Sequence, residues 1–324
     1  MEEQVLGYQS PLYGRRTSQY KIKPFSFFET CDYYKTFSYE EKALIYGLTS
    51  GIPLYLSLFR EDKSLKQNII DIFLSSNGYL FEEPTNLIKQ ECRDPSTYNS
   101  IIQAIALGAT KLSEISNQVG IETGLCTTYI KKLISLGIII KDTPIYKPSK
   151  KQTIYLLADH MFQFWYKFVL PNISLINMGM GDRVYKKIEP HFYEFMGYIF
   201  EDICKQYLWL LNIHEELPLF FLKLGRWWGN DTRIKAEAEI DIVAYNDENQ
   251  ILIGECKWRN EDTDKKVLDK TIFRSELFSF LNKYIYLFSK SRFSSYCLEY
   301  AKNNPSVHLI TFEDIIKAYE LNKS

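Results

Sequence analysis

The sequence predicts a mixed fold class: helices first, then a helix-turn-helix with a wing, then an α/β unit. Three observations carry that expectation. Apolar residues recur at roughly helical spacing through much of the first part of the chain. The stretch "YNSIIQAIALGATKLSEISNQVGIETGLCTTYIKKLISLGIIIKDTPI" reads as helix, turn, helix, turn, helix and β-rich tail. Further on, "EIDIVAYNDENQILIGECKW" reads as two apolar strands folded about a polar turn.

Taken in order, "SPLYGRRTSQYKIKPFSF" carries a Gly-Arg-Arg turn at Arg15 and Arg16, then an alternating, strand-like run. Two helical segments follow in "YEEKALIYGLTSGIPLYLSLF" and "SLKQNIIDIFLSSNGYLF", and Gly51 and Pro53 break the first of them. In the helix-turn-helix the turns fall at Gly108 and Gly120. Leu125, Tyr129 and Leu133 of its third helix stand at i, i+4 and i+8, flanked by Ile130 and Ile134, and predict a buried stripe. Thr127, Thr128, Lys131 and Lys132 are then left facing outward, as candidate nucleic-acid contacts. From 97 to 152 seven lysines stand against Glu114, Glu122 and Asp142, in a chain whose net charge is only -1. A local excess of that kind is the footprint of a phosphate-facing surface. Winged helices also serve as protein-protein modules, with a Lys-rich wing that is merely solvated. The aromatic segment "YLLADHMFQFWYKFVLPN" predicts a core helix. Turn chemistry at 93–96 and in "DTPIYKPSKKQ" divides the chain into units 1–92, 93–156 and 157–324.

Composition narrows the function classes. A chain of 324 residues, 46% hydrophobic, has material for two or three packed domains. Its six cysteines are scattered, without a CxxC pair or Cys/His clustering, which argues against a zinc site or a disulfide framework and for a reducing, cytoplasmic compartment. The most apolar stretch contains Lys167 and Pro171 and is short for a bilayer span, and "MEEQVLGYQS" is unlike a signal peptide. No membrane partner is therefore expected.

The acidic hairpin is the chemically informative part. Alternation puts Glu237, Glu239 and Asp241 on one face of the first strand, and Glu255 and Lys257 on one face of the second. A turn centred on Glu248 sets Asp241 opposite Glu255, and like charges so placed repel. A divalent cation would offset the repulsion, because carboxylates, water and substrate phosphate are how Mg²⁺ is usually held. Lys257 would then face the same space, at an attacking water or a phosphate. Both carboxylates lie in otherwise apolar runs, where an unpaired charge is costly. A solvated hairpin face is the alternative. Upstream, the helix "YEFMGYIFEDICKQYL" can deliver one further acid, Glu201, which could equally be a surface glutamate.

The order of a helix with Glu201, a strand with Asp241 and a strand with Glu255-Cys256-Lys257 resembles the PD-(D/E)xK, or restriction-endonuclease-like, superfamily, with Ile240 in place of the leading Pro. Beyond these, "SPLYGRRT", "GIPLYL", "DPSTYNSIIQAIALGATKLSEI", "QFWYKFV", "GRWW", "EIDIVA" and "GECKW" resemble the downstream part of the archaeal-type ATPase family, over nearly the whole chain. That resemblance implies a helical lid remnant over 1–92, a winged helix-turn-helix over 93–156, and an α/β nuclease-like domain with a mixed sheet over 157–324. It further implies a Mg (or Mn) site at Asp241 and Glu255, Lys257 and Glu201 as catalytic residues, Arg226 of "GRWW" near phosphate, and DNA as partner. The chain contains no G-x-x-x-x-G-K-[ST] loop, so no ATP site is expected in it. The implied protein is then a truncated or split member, with a separately encoded P-loop ATPase subunit as a further expected partner. Three functions follow from the resemblance: a Mg-dependent DNA endonuclease, a non-catalytic DNA-binding or regulatory module, and a docking partner of an ATPase.

Overall fold

The computed structural model describes residues 18, 20 and 22–323. The predicted turn with Arg15 and Arg16 lies outside the described residues. The strand-like run after it is not a strand in its described part, which is irregular up to Ser26. There a capping box starts α1 (Phe27–Tyr33): the Ser26 hydroxyl accepts from Glu29 N–H, and the Glu29 carboxylate accepts from Ser26 N–H at 2.7 Å. The same device, Ser38 with Glu41, opens α2 (Tyr39–Thr49). That helix ends where predicted, at Ser50 (φ 52) and Gly51 (φ 70). A Cβ at 51 would lie 1.9 Å from the Phe25 carbonyl oxygen, so only glycine fits. Pro53 then begins α3 (Pro53–Leu56), and α4 (Leu65–Phe73) and α5 (Glu83–Glu91) complete the helical N-terminal region.

Three helices follow, α6 (Pro95–Ala106), α7 (Leu112–Val119) and α8 (Thr123–Ser135), with positive-φ glycines at 108 and 120 between them. Strands β1 (Ile139–Asp142) and β2 (Ile154–Leu157) form an antiparallel hairpin behind α8. The buried stripe of α8 is Cys126, Ile130 and Leu133, while Leu125 is 49% exposed. The predicted stripe fails at Leu125 because two steps of four residues overshoot two full turns by about 80°. The aromatic segment is helical as expected. It forms α9 (His160–Phe164) and a π-helical turn over Trp165–Val169, whose Trp165 and Tyr166 are fully buried. Both carry polar handles that are satisfied, Trp165 Nε1 on the Phe81 carbonyl at 2.8 Å and the Tyr166 hydroxyl on Asn99.

Helices α10 (Ile173–Asn177), α11 (Gly181–Ile188) and the 22-residue α12 (Phe192–Ile213) lead into the sheet. Its strands are β3 (Lys223–Asp231), β4 (Ala236–Tyr245), β5 (Gln250–Lys257), β6 (Asn282–Ser289) and β7 (Val307–Thr311), hydrogen-bonded in that order. Short turns make β3, β4 and β5 antiparallel, whereas the crossover helices α13 (Lys265–Ser275) and α14 (Ser295–Asn303) make β5, β6 and β7 parallel. Helix α15 (Phe312–Lys323) closes the described chain. The centre of β5 is covered on both faces, so residues 251 to 256 are buried without a break. One hydrophobic core runs from Phe27 through α8 and α12 to Ile316 and includes Ile242, Leu252 and Phe288 of one sheet face. A smaller core beneath α13 takes Ile240, Val243, Ile251 and Ile253 from the other. Among the described residues no helix is long and apolar enough to cross a membrane.

Candidate functional site

The site is built around the β4–β5 hairpin. Its turn is held by Asn246, whose side-chain oxygen accepts from Glu248 N–H (3.0 Å) and Gln250 N–H (3.2 Å), and by Asn249 at φ 61. The resulting register, Tyr245 with Ile251 through Ile242 with Gly254, is the one that a turn centred on Glu248 dictates. One further step would pair Asp241 with Glu255. The ladder stops one pair short of that, and the Cys256 N–H donates instead to Asp241 Oδ2 at 2.9 Å.

A β-bulge accounts for the opening. Gly225 pairs with Val243 and Trp227 with Ile240, so β4 carries one residue more than β3 across from Arg226. Ile240 and Val243 accordingly enter the smaller core, while Ile242 enters the larger one. Asp241 sits where the alternation breaks, and the bulge directs its carboxylate toward the end of β5 rather than into either core.

Four elements deliver charge to this point. Glu255 on β5 is 5% exposed; its Oε1 accepts from Lys257 Nζ at 2.6 Å, and its Oε2 lies 3.7 Å from Arg274 Nη1 of α13. Lys257 Nζ also donates to the Cys256 carbonyl at 3.2 Å. Arg274 Nη1 is fixed by the Glu239 carbonyl at 2.5 Å. From α12, Glu201 Oε2 lies 3.5 Å from Arg226 Nε and 3.9 Å from Lys205 Nζ. Arg226 also grips the Glu239 carboxylate through Nη2, yet its buried Nε has no hydrogen-bond partner among the described residues.

The carboxylates are not fully neutralised by these cations. Burial, and then the Asp241 charge, pushes the Glu201 carboxyl up to about 7, against the pull of Arg226 and Lys205. Glu255 is raised for the same two reasons, against Lys257 and Arg274. Burial pulls Lys257 down, but the charge and hydrogen bond of Glu255 together with the Asp241 charge outweigh it and hold the ammonium above its ordinary range. The Lys257 ammonium thus occupies a cation-attracting position between a carboxylate and a carbonyl. As hard oxygen donors the Asp241 and Glu255 carboxylates suit Mg²⁺ or Mn²⁺, which commonly take one or two carboxylates and complete their shell with water and phosphate. Among the described residues no group of three or more His, Cys, Asp or Glu side chains is placed to hold a metal.

Sequence reasoning named Glu201, Arg226, Asp241, Glu255 and Lys257, and the fold brings these five into one cluster. It missed Arg274, which arrives from a later helix, and the Cys256 N–H, which is freed only by the bulge. The other named residues are separate, on α8: Thr128 and Lys131 are exposed, Thr127 and Lys132 half-buried. The Thr127 hydroxyl donates to its own helix, at the Thr123 carbonyl (2.9 Å), and the Thr128 hydroxyl to Gly124 at 3.4 Å. A cleft of ≈ 760 Å³ opens beside Lys257, between α2, α12 and the end of β5. Trp258 and Arg259 line it, and the Lys290–Glu40 ion pair (2.7 Å) joins two of its walls.

Residues 165–268, which include the whole five-residue cluster, match the family DUF234, described as archaeal and bacterial proteins of unknown function. A protein of Methanocaldococcus jannaschii, itself described as uncharacterized, is 35% identical over 293 residues, covering 88% of this chain and 63% of the relative. The chain therefore spans less than two thirds of that relative's length. A Vibrio cholerae protein of known crystal structure aligns with 81% of this chain and 57% of its own, at 13% identity and a TM-score of 0.31.

Proposed function

We propose that the protein is a DNA-binding phosphodiesterase whose hydrolytic site is the Glu201, Arg226, Asp241, Glu255, Lys257 cluster, on the plan of the restriction-endonuclease-like superfamily. The observation that carries this reading is the opened ladder at Asp241, which leaves its carboxylate beside Glu255 rather than paired across the strands, while burial and then the Asp241 charge make Glu201 and Glu255 hold protons more tightly. Asp241 and Glu255 would hold Mg²⁺ or Mn²⁺, which when bound supplies Lewis-acid polarisation of a phosphate oxygen and acidifies water.

The chain's own residues supply the rest. Hydrolysis forms a bond from a water oxygen to phosphorus, breaks a phosphorus–oxygen ester bond, and moves one proton off the water and one onto the leaving oxygen. Glu201, with its carboxyl near 7, can accept or return a proton at neutral pH. Lys257 exchanges Glu255 for the water or a phosphate oxygen, and Arg226 Nε, ion-paired with Glu201 at 3.5 Å but without a hydrogen-bond acceptor among the described residues, turns to phosphate. The three helices with their hairpin are the DNA-binding unit, a winged helix in which Lys131 and Lys132 contact phosphates and Thr127 and Thr128 approach the groove. The same resemblance makes a P-loop ATPase a candidate partner. A scaffold reading, without catalysis, draws on the pairing of Glu255 with both Lys257 and Arg274, which leaves that carboxylate partly neutralised already.

Cation binding separates the two. Thermal melts of the wild type with Mn²⁺ should rise in midpoint, because a ligand held only by the folded state stabilises it by mass action. Asp241→Asn and Glu255→Gln should each remove the rise. A wild type that does not respond to Mg²⁺ or Mn²⁺ leaves the scaffold reading standing.

A further inference from the structure

The hairpin between β1 and β2 does not end in a short turn. Eleven residues, 143 to 153, separate its strands, and they lie along the outer edge of β3. Ile145 N–H donates to the Arg226 carbonyl at 3.0 Å. Gln152 and Trp228 exchange two hydrogen bonds, Gln152 Nε2 to the Trp228 carbonyl at 2.9 Å and Trp228 Nε1 to the Gln152 carbonyl at 3.0 Å. The Tyr146 ring sits among Tyr245, Phe278 and Phe280, each centroid about 5.4 to 5.5 Å away. At Gly225 a Cβ would come within 3.2 Å of Ile145, so glycine permits the approach. Pro144 and Pro148 flank residues 145–147, and Lys147 is held at φ 47, a conformation that a lysine rarely adopts without support.

So fastened, the tip turns three lysines outward: Lys147, Lys150 and Lys151 are exposed. The Lys147 ammonium lies over the Tyr146 ring, 5.1 Å from its centroid, and no carboxylate of the described residues answers any of the three. Among the described residues neither these three nor Lys131, Lys132 and Lys141 form an ion pair, whereas Lys111 pairs with Glu114 and the cations of the cluster are all engaged. A run of cations without carboxylate partners, on a backbone already fastened to β3, loses less conformational entropy on meeting a polyanion than a loose loop would. Its last member, Lys151, directly precedes Gln152, which is bonded to Trp228, and Trp228 is two residues along β3 from Arg226.

We propose that the hairpin tip is a bracket that joins α8 and the sheet into one duplex-DNA surface, with Lys147, Lys150 and Lys151 as phosphate contacts between the lysines of α8 and the carboxylate cluster. This rests on the DNA-binding part of the reading above and adds where the duplex runs. Each of these contacts releases counterions, so its loss flattens the salt dependence of binding by about 0.9 in log K against log salt.

The test is fluorescence anisotropy of the full chain on a labelled duplex of about three helical turns, over a range of salt. A triple variant, Lys147→Glu with Lys150→Glu and Lys151→Glu, changes only exposed side chains and should melt like the wild type. It is expected to bind more weakly and to lose about two to three from the slope. Tyr146→Ala keeps every lysine but loosens the bracket, and it should lower affinity while retaining the slope. If the triple variant matches the wild type while Lys131→Glu with Lys132→Glu weakens binding, the bracket proposal is overturned and the DNA-binding reading stands. Unchanged affinity in Tyr146→Ala would likewise remove the bracket. Failure of the wild type to bind duplex DNA, or binding of RNA in its place, overturns both.

Discussion

Replacing Glu201 with Gln removes one titrating group from the centre of the cluster and keeps its shape. The Glu201 side chain is 14% exposed, and its carboxyl is displaced from an ordinary 4.5 up to about 7 by burial and then by Asp241. Each pH unit of displacement corresponds to about 1.36 kcal/mol, so ionising Glu201 in the folded protein costs about 3 kcal/mol more than in the unfolded chain. The folded state holds the proton longer, so this group has no effect on stability below its unfolded value. Stability then falls as pH rises from 4.5 to about 7, and the full penalty applies above that. Glutamine does not titrate. Urea unfolding of wild type and Glu201→Gln at a series of pH values should show the wild type losing about 3 kcal/mol more than the variant between pH 4.5 and about 7.5. Two parallel pH profiles would refute the electrostatic account of the cluster.

Other outcomes follow from the same geometry. Lys257→Ala frees Glu255 Oε1, so it should keep or increase the Mn²⁺-induced rise in melting temperature while losing any DNA cleavage; loss of the melting response would place Lys257 in cation binding instead. Lys131→Glu with Lys132→Glu should weaken duplex binding and lower the salt slope by up to about 0.9 per residue, as titrations at several salt concentrations would reveal. Gly51→Ala forces a Cβ to 1.9 Å from the Phe25 carbonyl oxygen at a positive φ, and chemical denaturation should register a loss of more than about 1 kcal/mol. No change there would mean that the end of α2 is built differently.

Much of this arrangement was legible before the fold because it depends on local spacing. The register of β4 and β5 follows from a turn centre and two alternating runs, and the breaks at Gly51, Gly108 and Gly120 follow from the one residue that accepts positive φ freely. What escaped depends on partners distant in sequence. The bulge at Asp241 exists only in relation to β3, and Arg274 reaches Glu255 from a crossover helix. Leu125 was misplaced because a step of four residues drifts around the helix, and the stripe actually steps by four and then three, through Cys126, Ile130 and Leu133. Near the start of the described chain, alternation suggested a strand where the described backbone is irregular up to the Ser26–Glu29 capping box. The lysines of 147 to 151 were visible as charge, but their attachment to the edge of β3 was not, since Ile145 and Gln152 find their partners more than seventy residues away.

The most direct measurement is cleavage of end-labelled duplex DNA by the purified chain with Mn²⁺ or Mg²⁺, read on a denaturing gel beside Asp241→Asn and a chelator control. The account predicts cation-dependent breaks in the wild-type lanes and none with Asp241→Asn or chelator, with DNA binding retained by the variant. Intact DNA in every wild-type lane under conditions where the chain binds the duplex, or breaks that persist in Asp241→Asn, would contradict it.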